Sequence, residues 1–220
     1  MARGYKQAIL LGLAAGAAAL LLVLLLECRR SAAHTPVEPS DDGELHLTGY
    51  MPYDRIADTE AYRLRVYGKV DAEVSLALDD VKAMPSVETD APLECVLGWT
   101  DHAVWRGVPV RDVLSRGGPH ADGTFVVFRD DRDFCASLSM DYVETGRPLL
   151  AWEVNGEPLP REHGWPLRVV APGKFGYKWV KWVTAIEVTD RGYEGTYEGR
   201  GFSLDGDADG PRTERERQPQ

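Results

Sequence analysis

Apolar and polar positions alternate along several short segments of the chain, which predicts β-strands with one buried face. The clearest case is YRLRVYGKV at residues 62–70, where leucine and valine alternate with arginine. Four further segments are rich in the β-branched and aromatic residues that favour strands. They are TFVVFRD at 124–130, PLLAWEV at 148–154, LRVVAP at 167–172 and WVTAIEVTD at 182–190.

Two segments have the features of short helices. LALDDVKAMP, residues 76–85, should end near Pro85, because proline cannot continue a helix. VPVRDVLSRGG, residues 108–118, begins with Pro109 and is followed by two glycines that stop it. Strands outnumber helices and the two kinds do not alternate regularly. We therefore predict an α+β domain with mixed β-sheets and short helices.

The first 30 residues have a different character. Residues 8–26, AILLGLAAGAAALLLVLLL, form an apolar run of 19 residues, which at about 1.5 Å per residue nearly crosses a bilayer core. A cleaved signal peptide is the alternative, but its apolar region is usually shorter and ends at a small-residue cleavage site. No such site precedes Glu27 and Cys28. We predict an uncleaved, single-span membrane anchor in residues 1–30.

Composition divides the rest of the chain. Residues 31–44 contain proline, serine and acidic residues with almost nothing to bury, which predicts a linker. Residues 205–220 are polar and charged and are expected to be a disordered tail. A single domain is then predicted at 45–204. The net charge of −10 argues against general nucleic-acid binding, which needs a basic face.

Cysteine usage points to one position of interest. The chain has three cysteines, Cys28, Cys95 and Cys135, and no C-x-x-C pair, so neither a zinc ribbon nor a thioredoxin-type site is indicated. Cys95 lies in LECVLGWTDHAVW, whose glycine and polar residues are typical of an exposed turn. Three roles fit such a cysteine: a small core residue, a ligand for a soft metal, or a nucleophile.

A second stretch concentrates positive charge. Residues 161–181, REHGWPLRVVAPGKFGYKWVK, contain five lysines and arginines against one acid, with glycines at 164, 173 and 176. Clustered cations with turn glycines suit a phosphate or another oxyanion. The alternative is that these side chains simply cover a solvated face.

The two stretches together resemble the molybdopterin domain of the sulfite oxidase family. The pattern is C-x-x-G-W, then W-x-G-V-P, then H-G-x-P-L-R-x-x-x-P-G-x-x-G-x-K-x-x-K-W. The resemblance covers roughly residues 47–204 and is closer to the small bacterial and archaeal members, which lack haem and dimerisation domains. It implies a sulfite-oxidase-like molybdopterin-binding fold.

The resemblance also implies a site. Cys95 would be the only protein ligand of molybdenum, with a pterin dithiolene and oxo groups completing the coordination. His163, Arg168 and Lys181 would hold the pterin and its phosphate. Further pocket residues implied by the second motif are Lys174, Gly176, Tyr177 and Lys178. Trp99 and Trp105 are better explained as core aromatics.

Two features of larger family members have no clear counterpart. An early Asn, Arg and His motif is absent, and Tyr50, Tyr53 and Arg55 are its potential substitutes. The sulfite-binding arginines cannot be mapped, and Arg129 and Arg132 are interpreted as ordinary loop charges.

Together with the apolar run at 8–26, the resemblance implies a membrane-anchored molybdenum-pterin oxidoreductase that transfers an oxygen atom to or from a small substrate, of the sulfite or S- or N-oxide type. Electrons would pass to or from a separate partner, either a membrane haem protein or one linked to the quinone pool, since the chain has no C-x-x-C-H haem motif. By analogy with anchored relatives, we expect the domain on the extracytoplasmic face of the cell membrane. Two alternatives are a non-catalytic pterin-binding or docking module, and a transferase that uses Cys95 as nucleophile with His102 as base.

Overall fold

The computed structural model describes residues 45–46 and 58–213 of the chain. The predicted anchor (1–30), the predicted linker (31–44), and Tyr50, Tyr53 and Arg55 lie outside these residues. Within the described part, no helix is both long enough and apolar enough to cross a bilayer.

The described residues form many short strands and few helices, which confirms the predicted α+β class. The strands are β1 (Arg63–Gly68), β2 (Val74–Ala77), β3 (Val87–Asp90), β4 (Leu93–Glu94), β5 (Thr100–Asp101), β6 (Val104–Pro109), β7 (Phe125–Arg129), β8 (Cys135–Ser139), β9 (Leu149–Val154), β10 (Glu157–Pro158), β11 (Arg168–Val170) and β12 (Ala185–Thr189). The α-helices are α1 (Leu78–Lys82), α2 (Val110–Leu114) and α3 (Met140–Thr145). Short 3₁₀ helices span Arg161–His163, Gly176–Lys178 and Glu198–Arg200.

The first sheet has the strand order β2-β1-β12-β7-β8 and is mixed, because β1 pairs with β12 in parallel while the other pairs are antiparallel. The alternation read in β1 is real: Leu64 and Val66 are buried, whereas Arg63 and Arg65 face solvent. Strand β7 is buried at its three central positions, as expected of a strand covered on both faces.

The second sheet has the order β10-β9-β6-β3, and β11 pairs with the first half of β9. Its register shifts between Arg106 and Gly107, inside the W-x-G-V-P motif. A Cβ at Gly107 would lie 2.1 Å from the carbonyl oxygen of Leu150, so the motif glycine allows β6 and β9 to approach closely. Trp105, in the same strand, is fully buried and donates its indole N–H to the Ala91 carbonyl at 3.1 Å.

The helices are shorter than their sequence patterns predicted. Val74–Ala77 forms β2, so α1 begins only at Leu78, where the Asp80 side chain accepts the backbone N–H of Ala77 at 2.9 Å. Strand β6 likewise extends through Pro109 before α2 begins. In both places pairing with a neighbouring strand prevails over local helix propensity.

The C-terminal segment differs from its prediction. Residues 205–213, which we expected to be part of a disordered tail, contact the domain, and 214–220 lie outside the described residues. The Asp207 carboxylate forms an ion pair with Lys174, and the Ala208 N–H donates to the Gly173 carbonyl at 2.9 Å. Polar composition alone therefore misjudged a segment whose acidic side chain has a specific basic partner. We refer to residues 195–208 as the C-terminal strap.

Candidate active site

A cavity of about 230 Å³ opens where six separate parts of the chain meet. They are His46, the turn between β4 and β5, the loop at 130–134 between β7 and β8, the loop leading into β11, the 176–182 segment, and the C-terminal strap. Its lining includes Cys95, Trp99, His163, Arg168, Gly176, Tyr177, Lys181, Trp182, Thr196, Tyr197 and Arg200.

Cys95 reaches this cavity at the start of a tight hairpin. Strands β4 and β5 pair, and the Cys95 carbonyl accepts the Gly98 N–H at 2.9 Å while the Cys95 N–H donates to the Trp99 carbonyl at 2.9 Å. Gly98 has φ +97°, a conformation that favours glycine. The pattern C-x-x-G-W is thus a turn followed by a left-handed glycine, which places the cysteine and the tryptophan at the base of the hairpin.

The Cys95 thiol is half-buried and contacts little that would ionise it. Its sulfur accepts the Leu97 N–H at 3.5 Å. Burial is the main reason that the pKa of this thiol is raised, and the Leu97 N–H only partly offsets it. A soft metal ion would displace the proton and bind the thiolate.

Three basic side chains face the cavity from the second motif. Arg168 is fully buried, with its Nη1 donating to the His163 carbonyl at 3.1 Å, and Lys181 donates to the Glu162 carbonyl at 3.0 Å. Gly164 brings them together: it has φ +112°, and a Cβ there would lie 2.9 Å from the Lys181 Cβ and 3.0 Å from the Arg168 Cβ.

Neither Arg168 nor Lys181 forms an ion pair in the described part of the chain, although Asp101 acts on Arg168 and Glu162 on Lys181 from farther away. The Arg168 Nε is buried without a hydrogen-bond acceptor. Burial lowers the pKa of Arg168 to about 9, and burial followed by repulsion from Arg168 lowers the pKa of Lys181 to about 7. The pKa of His163 falls to about 3, first through burial and then through Arg168 and Lys181. An anion bound here would offset the free-energy cost of burying these side chains in their charged forms.

A family model described as "Oxidoreductase molybdopterin binding domain" matches residues 50–197. The chain belongs to this family. It is a molybdopterin-dependent oxidoreductase, and the resemblance read from the two motifs is confirmed.

Named relatives and a solved structure agree with this assignment. An uncharacterized oxidoreductase of Bacillus subtilis, YuiH, is 35% identical over 73% of this chain and 80% of its own length. A putative protein-methionine-sulfoxide reductase subunit of Azospira oryzae, YedZ1, is 31% identical over 68% of this chain, but the match spans only 57% of that protein. The sulfane dehydrogenase SoxCD of Paracoccus pantotrophus superposes with a TM-score of 0.62 at 26% identity, covering 68% of this chain and 44% of that one.

The cavity fits a molybdenum–pterin cofactor on its own chemistry. A half-buried thiol and an unpaired buried guanidinium nitrogen face one space, so a soft metal and an anionic group can be held together. Cys95 would bind the metal, and Arg168, Lys181 and His163 would hold the phosphate. Within residues 45–46 and 58–213, no three potential metal-ligating side chains cluster.

The structure separates the predicted cofactor residues into two groups. Those that line the cavity are Cys95, His163, Arg168, Gly176, Tyr177 and Lys181. The ammonium groups of Lys174 and Lys178 are instead paired with Asp207 and Glu198, away from the cavity. Charge density along the sequence could not distinguish a lysine that binds an anion from one that binds a carboxylate of its own chain.

Several residues in or beside the cavity were not predicted. Asp101 is almost fully buried, and its carboxylate accepts the backbone N–H of His46 at 2.6 Å and contacts the same histidine's Nδ1. The His46 ring stacks on Trp99, with the centroids 4.9 Å apart. Thr196, Tyr197 and Arg200 were also missed, because the strap lies after the motifs and has no periodic pattern.

Other sequence interpretations have definite outcomes. Trp105 is a core residue as predicted, whereas Trp99 is buried and also lines the cavity. Arg129 was interpreted as an ordinary loop charge, but it is the last residue of strand β7; it forms an ion pair with Glu187 and does not line the cavity. His102, the base considered for a Cys95-dependent transferase, is exposed and does not line the cavity that Cys95 faces.

Proposed function

We propose that this chain catalyses oxygen-atom transfer at a molybdenum centre held by Cys95, with a small sulfur-containing molecule as substrate. The observation that carries the proposal is the shared cavity, which a thiol, a buried guanidinium and an ammonium all face, with neither cation in an ion pair among the described residues. When bound, the cofactor supplies a metal that exchanges two electrons and an oxo group.

The overall reaction balances in either direction. Oxidation takes a substrate and water to the oxygenated product with two protons and two electrons released. Reduction of an S-oxide consumes two protons and two electrons and releases water. The names of two relatives, a methionine-sulfoxide reductase subunit and a sulfane dehydrogenase, both refer to sulfur chemistry. Sulfite and S-oxides are therefore the first substrate candidates, with N-oxides next.

The chain's own side chains would bind the cofactor and exclude water, and they would not react themselves. Arg168 and Lys181 anchor the phosphate. Gly176 packs against the cysteine hairpin, since a Cβ at this position would lie 3.2 Å from Leu93 Cδ1. Trp99 and Tyr197 narrow the cavity and limit the entry of water.

The deciding experiment compares two cysteine variants of the full chain. Wild type should contain about one molybdenum per chain and should turn over sulfite with an electron-accepting dye, or methionine sulfoxide with a reduced dye. Cys95→Ser should lose both the molybdenum and the activity. Cys135→Ser is the matched control, since Cys135 is buried beside Thr196 and does not line the cavity. An active, molybdenum-containing Cys95→Ser protein would refute the proposal.

We also propose that residues 1–30 anchor the domain to the extracytoplasmic face of the cell membrane and that a membrane haem protein or quinone-linked protein exchanges electrons with it. The apolar run at 8–26 supports the anchor. The word "subunit" in the name of the Azospira relative supports a separate partner. Protease added to intact spheroplasts should digest the domain, and protection until lysis would contradict this sidedness.

A further inference from the structure

The C-terminal strap forms one wall of the cavity. Thr196, Tyr197 and Arg200 all line it, and all three come from this one segment. Tyr197 stacks on Tyr177 with the ring centroids 5.6 Å apart, so the strap also packs against the second motif. The position of this wall depends on what holds the strap to the domain.

A buried lysine holds the strap at two points. The Lys178 ammonium donates to Glu198 Oε1 at 2.5 Å and to the Leu204 carbonyl at 2.6 Å, and both acceptors belong to the strap. Its third hydrogen bond, 2.9 Å long, goes to the Ser137 carbonyl in β8. The exposed fractions of the Lys178 and Glu198 side chains are 0% and 1%. One ammonium group thus joins the sheet to both ends of the 198–204 segment.

The strap is shaped to receive this lysine. A Cβ at Gly206 would lie 2.7 Å from the Lys178 Cε, so a glycine at this position allows the strap backbone to lie against the lysine side chain. The second carboxylate oxygen of Glu198 is buried and has no partner among the described residues. The Glu198 charge therefore depends on Lys178, and without the ammonium the strap would carry an unneutralised buried carboxylate.

We propose that Lys178 is a positioning residue: by binding Glu198 and the Leu204 carbonyl it places Tyr197 and Arg200 at the mouth of the cavity. It does not contact the cofactor, since its ammonium is fully used by the sheet and the strap.

The inference also deepens the proposed function, on which its kinetic part rests. Arg200 is exposed, lies 5.7 Å from the Tyr197 ring centroid, and forms no ion pair within the described ranges. A guanidinium at the mouth attracts a small anion such as sulfite on its way to the metal. Lys178 would then affect substrate affinity through the strap and leave the cofactor in place.

Hydrogen exchange of the purified holoenzyme tests the positioning role without turnover. In Lys178→Met, backbone amides of 196–204 should exchange at least tenfold faster than in wild type, while amides of β1 and β12 stay unchanged. Molybdenum content should remain near the wild-type value. The control is Lys69→Met, which removes an ammonium paired with Asp122 and Asp190 on the exposed surface and should alter neither measurement.

Glu198→Gln is the milder second variant, because the amide keeps an acceptor for Lys178, and it should accelerate exchange severalfold in the same amides. Unchanged strap exchange in the variants overturns the inference, as does a uniform rise throughout the domain. Loss of molybdenum with a protected strap would also overturn it, because Lys178 would then be a cofactor contact.

A mutant cycle with sulfite separates positioning from general destabilisation. Arg200→Ala should raise KM about tenfold in the wild-type background and by less than twofold in Lys178→Met, because the guanidinium is already displaced there. Equal effects in both backgrounds contradict the coupling. If no sulfite or S-oxide is turned over at all, the proposed function fails, while the exchange experiment still decides the role of Lys178.

Discussion

Lys178 and Lys181 stand three residues apart in the same motif, yet their ammonium groups have opposite surroundings. Lys178 is neutralised by Glu198, whereas Lys181 donates to the Glu162 carbonyl and lies over the Trp182 ring, with no ion pair among the described residues. Both were predicted to be cofactor residues, because the sequence shows that they are cations. It does not show that Lys178 binds the carboxylate of Glu198, which lies 20 residues later in the chain. Cys95, His163 and Arg168 were easier to predict, since they occupy fixed places in the motifs and all face one cavity.

Replacing these two lysines should change the stability of the cofactor-free protein in opposite directions. At pH 6, Lys181→Met should raise the free energy of unfolding by about 1–2 kcal/mol, because an unpaired ammonium no longer has to be desolvated. Lys178→Met should lower it by about 3–5 kcal/mol, because the buried Glu198 carboxylate loses its partner. Urea unfolding of both variants gives the two values. Destabilisation of similar size in both would show that Lys181 has a carboxylate partner after all.

The stability of the cofactor-free protein should also rise with pH through Lys181. Its pKa is lowered from 10.5 to about 7, so between these values the unfolded state binds more protons than the folded state. The free energy of unfolding then increases with pH, by up to about 1.4 kcal/mol per pH unit for one proton. Measurements from pH 7 to 9 should show this slope in wild type and lose it in Lys181→Met. Arg168 has a pKa of about 9, so its own contribution to the pH dependence of the free energy of unfolding lies mainly above this interval.

At the scale of elements, glycines decide where two motif segments can turn or approach. Gly98 completes the cysteine hairpin in a left-handed conformation, and Gly107 lets β6 pass close to β9. The strands predicted from alternation are present because their buried faces meet other strands. Strand β8 was missed, since CASLS is short and has none of the β-branched or aromatic residues that marked most of the other strands.

Gly98→Ala should cost about 1–2 kcal/mol in the free energy of unfolding, since an alanine is strained at φ +97°. It should also reduce molybdenum content, because the strain is relieved by moving Cys95. Gly199→Ala is the control: that glycine is exposed, and a Cβ there would meet nothing within 4 Å. Denaturant unfolding and metal analysis of both variants test this. Equal costs at the two positions would mean that the hairpin tolerates a side chain at Gly98.

At the scale of the whole molecule, the cavity exists only because segments more than 100 residues apart in the chain meet, from Cys95 to Arg200. Among the described residues, Arg168 and Lys181 face this cavity without an ion pair, and the phosphate of a bound cofactor would supply an opposite charge. Folding and cofactor binding are therefore expected to be coupled.

The cofactor-loaded protein should unfold at a clearly higher temperature than protein made in cells that cannot synthesise the pterin. A ligand at a thousand times its dissociation constant stabilises by about 4 kcal/mol. The difference should shrink in Arg168→Met, which removes the guanidinium that would hold the phosphate, and persist in Lys69→Met. Differential scanning calorimetry of the loaded and cofactor-free forms of each variant measures this difference in unfolding temperature. An identical difference in Arg168→Met would place the phosphate elsewhere.

The sequence by itself determined the family, the α+β class and the main cavity residues Cys95, His163, Arg168 and Lys181. These depend on motif spacing and local periodicity, and both are properties of neighbouring residues. Only the tertiary structure decided that Lys174 and Lys178 form ion pairs with carboxylates of the strap, and that Tyr197 and Arg200 line the cavity. The reason is physical: a buried charge takes its role from the groups around it, and folding brings those groups from distant parts of the chain.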